Sequence, residues 1–191
     1  MPQIIKNKNA FTLPETLMAI SVVFLVLGAI LLAFNFSQRV YRGGEAGAEI
    51  TQNGRVLLER LTREIRQARE IVTELPLAES QATSTLMFED GHLSVPYHYI
   101  RYLRDESASQ IKREVIGFYF SNDPEQTLVS YDALPPPGQI LENKSLEPSQ
   151  VVGEFVSQLN FWSNGVVYLG LLLEKGEQNI HLKTSVFGRN F

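Results

Sequence analysis

The chain of 191 residues contains no cysteine and only three histidines. Without cysteine no disulfide can form, so packing alone must hold the fold together. His92, His98 and His181 show neither HxxxH nor HExxH spacing, and the aspartates are too scattered for an EF-hand. The sequence also lacks GxSxG, a P-loop and GxGxxG. We therefore predict no catalytic residues, no cofactor site and no metal site, and we classify the chain as a non-enzyme.

Charge is missing from one long stretch of the chain. No charged residue occurs from Thr16 to Gln38, and Leu17 to Phe34 is almost continuously apolar. As a helix, these apolar residues at about 1.5 Å each would span roughly 27 Å, close to the thickness of a bilayer core. We therefore expect a transmembrane helix over residues 11–38.

Two alternatives to a transmembrane helix stay open at this point. A buried helix of a globular protein rarely runs this long without a charge. A removable secretory signal usually has an apolar region of about 7–15 residues followed by an A-x-A-like site, and Asn35-Phe36-Ser37 is a poor match. Basic residues occur on both sides of the stretch, so the positive-inside rule does not decide its orientation.

One acidic residue, Glu15, lies at the entrance to the apolar stretch. It follows Thr12 by three residues, with Pro14 between them, which fits a capping box with proline in the first helical turn. Capping the start of the helix would therefore be enough to explain Glu15. The other follows from solvation, because a carboxylate costs on the order of 3 kcal/mol at the centre of a membrane helix and less near its surface. Such a residue usually has a partner.

This N-terminal pattern resembles that of type IV pilins and of the pseudopilins of type II secretion. The resemblance rests on a short basic leader, the motif Phe11-Thr12-Leu13-Pro14-Glu15-Thr16-Leu17 and the uncharged span. It implies that a prepilin peptidase cuts between Ala10 and Phe11 and then N-methylates Phe11. It further implies that Glu15 pairs with the Phe11 amine of a neighbouring subunit as the two helices come into register. The family usually has glycine where this chain has Ala10.

Residues 39–75 are predicted to form a hinge and an amphipathic helix. Gly43, Gly44 and Gly47 lie close together, and each glycine costs a helix about 1 kcal/mol relative to alanine. They indicate a bend, a melted stretch or a plain linker. Helical periodicity returns from Glu49 to Thr73, with apolar residues on one stripe. The stripe contains Ile50, Leu57, Leu61, Ile65, Ala68 and Val72.

The polar side of this amphipathic helix is rich in arginine. Its basic residues are Arg55, Arg60, Arg63, Arg66 and Arg69. Six acids interleave with them: Glu45, Glu49, Glu59, Glu64, Glu70 and Glu74. Glu59–Arg63 and Arg66–Glu70 have the four-residue spacing of helical ion pairs. We interpret this face as solvated and self-paired, with contact to a neighbouring subunit as the alternative. The charges argue against nucleic acid as a partner, because acidic residues outnumber basic ones on this face and again from residue 75 onward.

From Pro76 onward the composition predicts short strands. They cover Thr85–Phe88, Tyr97–Leu103, Ile111–Phe120, Val151–Trp162, Val166–Glu174 and Asn179–Phe187. The segment from Asn122 to Pro148 contains three consecutive prolines and is predicted to be a long surface connection. A helix followed by strands indicates an α+β protein, in which the amphipathic half of a long N-terminal helix packs on an antiparallel β-sheet head.

The resemblance extends, less specifically, beyond the leader. The arginine-rich helix, a Tyr/Ile hairpin, Leu159-Asn160-Phe161-Trp162 and a tail from Leu182 to Asn190 look like the larger minor pilins and the J-type minor pseudopilins. The predicted layout is a leader peptide (1–10), a transmembrane helix (11–38), a hinge and amphipathic helix (39–75) and an extracytoplasmic β-rich, pilin-like head (76–191).

The leading hypothesis from the resemblance is a structural subunit that primes or lies near the tip of a type IV pilus, a type II secretion pseudopilus or a competence filament. The implied partners are other pilin or pseudopilin subunits, a prepilin peptidase, an inner-membrane assembly platform and membrane lipid. The implied location is the inner membrane, crossed once with the head outside the cytoplasm, and then the fibre. The alternative is a membrane-anchored binding or adhesin domain that never polymerises.

Overall fold

The computed structural model describes residues 12–91 and 97–188, and these residues form an α+β protein. One long helix, α1, spans Leu13–Gln67. The chain divides into two compact units between Gly44 and Glu45. The described part of the first unit is the N-terminal part of α1, whereas the second unit, which we call the head, contains the rest of α1 and the strands.

Eight strands and a short 3-10 turn, Glu79–Gln81, follow α1 in the described part of the head. The strands are β1 (Thr85–Glu89), β2 (Tyr99–Asp105), β3 (Gln110–Phe120), β4 (Leu141–Ser145), β5 (Gln150–Gly153), β6 (Val156–Ser163), β7 (Val167–Lys175) and β8 (Gln178–Val186). The first sheet has the order β1-β2-β3-β4, and β5 also pairs with β3. The second sheet has the order β6-β7-β8, and every pairing in both sheets is antiparallel.

One hydrophobic core joins α1 to both sheets. Strand alternation decides which side chains enter it: Leu169, Leu171 and Leu173 of β7 are all fully buried at two-residue spacing. From the first sheet, the rings of Phe88 and Tyr102 stack with their centroids 6.2 Å apart. Both sheets therefore present one face to the helix.

The helical stripe predicted from the sequence is the third wall of this core. Ile50, Leu57, Leu61 and Ile65 are at most 1% exposed. Burying four such side chains contributes about 6–12 kcal/mol, as an upper bound. Gly54 is a buried member of the same stripe, and a Cβ at this position would lie only 2.5 Å from a methyl carbon of Leu182. The absence of a side chain at this position lets the second sheet approach the helix closely.

The predicted end of the helix at Thr73 is wrong, because α1 ends at Gln67. The following residues run as extended chain beside β1: the amide of Val72 donates to the carbonyl of Met87 at 2.9 Å, and the amide of Arg69 donates to that of Glu89 at 3.0 Å. Residues 71–73 are β-branched, which favours extended backbone. Val72 therefore does not belong to the helical stripe, and Ala68 is buried just beyond the helix end.

The glycines after the apolar span do not interrupt the helix. Gly43, Gly44 and Gly47 are all helical, so the melted stretch and the plain linker expected there are wrong. Helical hydrogen bonds on either side offset the propensity cost of three glycines in a helix of 55 residues.

Strand boundaries also differ from the sequence prediction in the middle of the head. β4 lies inside the segment predicted to be a surface connection, and pairs with β3 from Ile116 to Phe120. The single strand predicted over Val151–Trp162 is two strands, because Phe155 adopts a positive φ of 62° that breaks the extended backbone. The strands from β1 to β3 and the β7–β8 hairpin match the prediction within two residues.

Candidate functional site: the exposed helix start

The N-terminal part of α1 exposes its apolar side chains. Between Leu13 and Val40, sixteen large apolar side chains are each at least 49% exposed. Removing such a side chain from water gains about 1.5–3 kcal/mol, so together they favour an apolar environment by tens of kcal/mol. The helix is long and apolar enough to cross a membrane, judged by length and composition.

Three polar side chains of the uncharged stretch bond to the helix itself. The Thr16 hydroxyl donates to the Leu13 carbonyl at 2.8 Å, and the Ser21 hydroxyl donates to the Leu17 carbonyl at 2.9 Å. The side-chain amide of Asn35 reaches the carbonyl of Leu31, four residues earlier, at 3.0 Å. Such bonds satisfy the polar groups without water, as a membrane or a bundle of apolar helices requires.

Glu15 differs from these residues. It lies in the first turn of α1, directly after the helix start, where its amide and that of Thr16 donate to the Thr12 carbonyl. The position suits a carboxylate, because the helix dipole places positive potential there. Among the residues that the structure describes, none provides a hydrogen bond or an ion pair to the exposed Glu15 side chain. The predicted cleavage residues Ala10 and Phe11 lie outside the described residues.

A second polar arrangement lies within the head, between α1 and the first sheet. The carboxylate of Glu64 accepts hydrogen bonds from the Tyr102 hydroxyl at 2.7 Å, from Nε of Arg113 at 3.0 Å and from Nε of Arg60 at 3.3 Å. The Glu64 and Arg113 side chains are only 12% and 14% exposed. We call these four residues the Glu64 cluster. It joins the helix to β2 and β3 through charge-assisted bonds.

Protonation of the Glu64 cluster is fixed by burial and by its charges. Burial raises the pKa of Tyr102, and the negative charge of Glu64 raises it further, so the phenol remains a donor. Burial opposes the charge on Arg113, but the hydrogen bond and the charge of Glu64 outweigh it, so the pKa of Arg113 is raised as well. The cluster therefore holds its protons firmly, which suits a structural contact between helix and sheet.

The sequence did not reveal this cluster. The sequence pattern places Glu64 and Arg60 on a solvated face paired at Glu59–Arg63 and Arg66–Glu70, and the predicted pairs are wrong. The observed helical pair is Arg60–Glu64. Glu70 lies beyond the helix and accepts a bond from the Tyr131 hydroxyl at 3.3 Å. The available signal was spacing, because Glu64 follows the buried Leu57 by seven residues and therefore shares its face.

An open groove on the head does not gather reactive groups. It is an open depression of about 500 Å³ between the segment after α1 and the β6–β7 turn, lined mainly by apolar residues such as Ile71, Leu75 and Val167. Glu70 is its one acidic lining residue. Across residues 12–91 and 97–188, no three His, Asp or Glu side chains lie close enough together to hold a metal ion.

Comparison with known proteins identifies no relative. No protein-family model, no curated protein sequence and no solved structure matches the chain. Its function therefore has to be argued from the helix start and the head themselves.

Proposed function

We propose that the chain is a minor pilin or minor pseudopilin, a structural subunit that enters a type IV pilus, a type II secretion pseudopilus or a competence filament after removal of residues 1–10. The observation that carries the proposal is Glu15, a carboxylate without a described partner in the first turn of an exposed apolar helix. It stands four residues after Phe11, the residue that the pilin-like motif would make the new N-terminus.

Proteolysis would supply the missing partner. Cleavage after Ala10 creates an ammonium group on Phe11, and N-methylation keeps its positive charge. Two unit charges about 4 Å apart attract by roughly 4 kcal/mol at the effective dielectric of a protein surface, and desolvation offsets part of this gain. Because Thr16, Ser21 and Asn35 bond to their own helix, Glu15 supplies the main electrostatic preference for one axial register between neighbouring helices.

The head supports the proposal by its construction. The C-terminal part of α1 forms one wall of the core of the head. The N-terminal part of the same helix is an exposed apolar rod. This combination suits a pilin-like subunit that is stored in the inner membrane with its head outside the cytoplasm and then packs its apolar rod against other subunits. The proposed partners are those subunits, the prepilin peptidase, the assembly platform and membrane lipid.

The first experiment is intact mass spectrometry of the chain isolated from its native membrane and fibre fractions. The proposal expects a mature chain that begins at Phe11 and carries one N-methyl group. A chain that keeps residues 1–10 would contradict the proposal and leave the anchored, non-polymerising binding domain as the better interpretation.

The second experiment neutralises the carboxylate with minimal change of shape. Glu15→Gln should insert into the membrane at the wild-type level, but its recovery in the sheared fibre fraction should fall at least tenfold, because a loss of about 1.4 kcal/mol already lowers an equilibrium tenfold. Glu45→Gln makes the same change at an exposed position of the same helix and should be recovered like the wild type. Equal recovery of the two variants would refute the role of Glu15.

A further inference from the structure

The head covers two of its sheet edges with its own chain. Residues 69–73 bond to β1, and the segment after them covers β6, where Thr83 and Phe161 exchange backbone hydrogen bonds of 3.1 and 2.8 Å. The edges formed by β4 and β5 are short, at five and four residues. β8 is different: it has nine residues, contains no proline, and its outer edge receives no backbone hydrogen bond from any part of the chain that the structure describes.

The geometry of the β7–β8 hairpin determines which backbone groups of β8 point outward. Gly176 has a φ of 62° at the first position of a two-residue loop, as in a type II′ turn, and Lys175 and Gln178 close that loop. The closing pair of such a hairpin is hydrogen-bonded, and the bonded pairs then alternate along the ladder. Asn179, His181, Lys183 and Ser185 therefore direct their N–H and C=O groups away from β7, and all four residues are exposed.

We propose that β8 is an interaction edge that pairs antiparallel with β8 of a second copy of this chain, about a two-fold axis at His181. The two three-stranded sheets then join into one continuous sheet of six strands. A long, regular edge without proline or inward-pointing charge is a template for such pairing.

We place the two-fold axis at His181 because of the residue pairs that this register creates. On the core side it places Ile180 opposite Leu182 of the second copy, twice by symmetry, and both side chains are only partly buried against the core of one copy. It also places Gln178 opposite Thr184, so that apolar residues meet apolar ones and polar residues meet polar ones.

Charge favours the same register. Lys183 stands opposite the uncharged Asn179 of the second copy. Its ammonium group is held within its own chain by Glu79, at 2.5 Å, and by the Trp162 ring, whose centroid lies 5.9 Å away. A two-fold axis at Lys183 would instead place the two lysines opposite each other, which is unfavourable. The axis at His181 therefore places no like charges directly opposite each other.

The absence of native cysteine permits a test of this register in the full-length chain. In a hydrogen-bonded antiparallel pair the Cα atoms lie about 5.5 Å apart, within the range for a disulfide. His181→Cys should therefore form a disulfide-linked dimer when the full chain in detergent is oxidised and run on a non-reducing gel. Lys183→Cys should not, since its counterpart would lie four residues along the strand, about 13 Å away.

A backbone variant tests the pairing itself. Lys183→Pro, introduced into the His181→Cys chain, removes an outward N–H but none of the hydrogen bonds to β7, and should lower the dimer yield several-fold. Lys183→Ala in the same background loses the same contact with Glu79 but keeps the N–H, and should leave the yield unchanged. Far-UV circular dichroism should show that both chains are folded.

Three outcomes would overturn the proposal: equal cross-linking of the two single-cysteine chains, no cross-linking of His181→Cys, or a yield that Lys183→Pro does not change. The proposal stands apart from the proposed filament function, because the cross-link needs neither cleavage at Ala10 nor Glu15. A chain with Glu15→Gln should give the same yield, so that the two ideas can fail separately.

Discussion

Replacing Glu64 with alanine should be the most damaging polar substitution on α1. The change removes the carboxylate that accepts bonds from Tyr102, Arg113 and Arg60. Tyr102 is fully buried, so its hydroxyl would lose its acceptor without access to water. Arg113 would keep only the more distant carboxylate of Glu147, at 3.8 Å.

The expected loss follows from these contacts. A hydrogen bond to a charged group contributes about 1.5–3 kcal/mol, and removing one partner of a buried ion pair costs about 3–5 kcal/mol. The cluster retains some exposure, which lowers both figures, so we expect the free energy of unfolding to fall by about 3 kcal/mol. Glu59→Ala makes the same change at an exposed site five residues earlier and should alter it by less than about 0.5 kcal/mol.

Urea unfolding of the full-length chain in a mild detergent measures this difference. The chain has one tryptophan, Trp162, which is 9% exposed and stacked on Tyr168 with ring centroids 5.4 Å apart, so its fluorescence reports on the head. A difference between Glu64→Ala and Glu59→Ala below about 0.5 kcal/mol would refute the structural role of the cluster. Adding Tyr102→Phe to Glu64→Ala should cost less than the sum of the single changes, because the hydroxyl is then no longer left unpaired.

Three further predictions concern pH, turn conformation and helix propensity. Burial and the charge of Glu64 raise the folded-state pKa of Tyr102 above its unfolded value near 10, so its contribution to stability is complete below about pH 10 and is lost as the pH rises. Tyr102→Phe should therefore reduce the loss of stability at alkaline pH in urea unfolding, and an unchanged pH dependence would contradict this. Gly176→Ala should destabilise the head by about 1 kcal/mol, because φ is 62° there, and an unchanged urea midpoint would contradict this turn geometry. Gly44→Ala, at a helical position with open space, should instead raise the helix content measured by circular dichroism.

Local patterns predicted much of the fold. The stripe from Ile50 to Ile65 and the hairpin around Gly176 were readable because helical periodicity and turn chemistry act over a few residues. β4 could not be predicted in the same way, since Leu141–Ser145 has weak strand character and is extended because β3 offers it an open edge. The helix end at Gln67 is likewise decided by pairing with β1, which is distant in sequence.

The same distinction between local patterns and contacts of distant residues applies to the candidate site. Glu15 was found from the sequence because an uncharged span makes a single carboxylate conspicuous. Its proposed counterpart, the Phe11 amine, belongs to a neighbouring chain and stays a prediction. The Glu64 cluster was missed because Glu64 and Arg113 are 49 residues apart in the chain, and only the packing of α1 on β2 and β3 brings them together.

The long buried stripe of α1 has a mechanical consequence. From Ile50 to Ile65 the buried contacts extend over about 22 Å of helix, so tension directed along the helix axis would load all of them at the same time in shear. A sideways force would instead peel them apart one turn after another. The head should therefore resist axial pulling far better than transverse pulling, and single-molecule extension along the two directions would measure the difference.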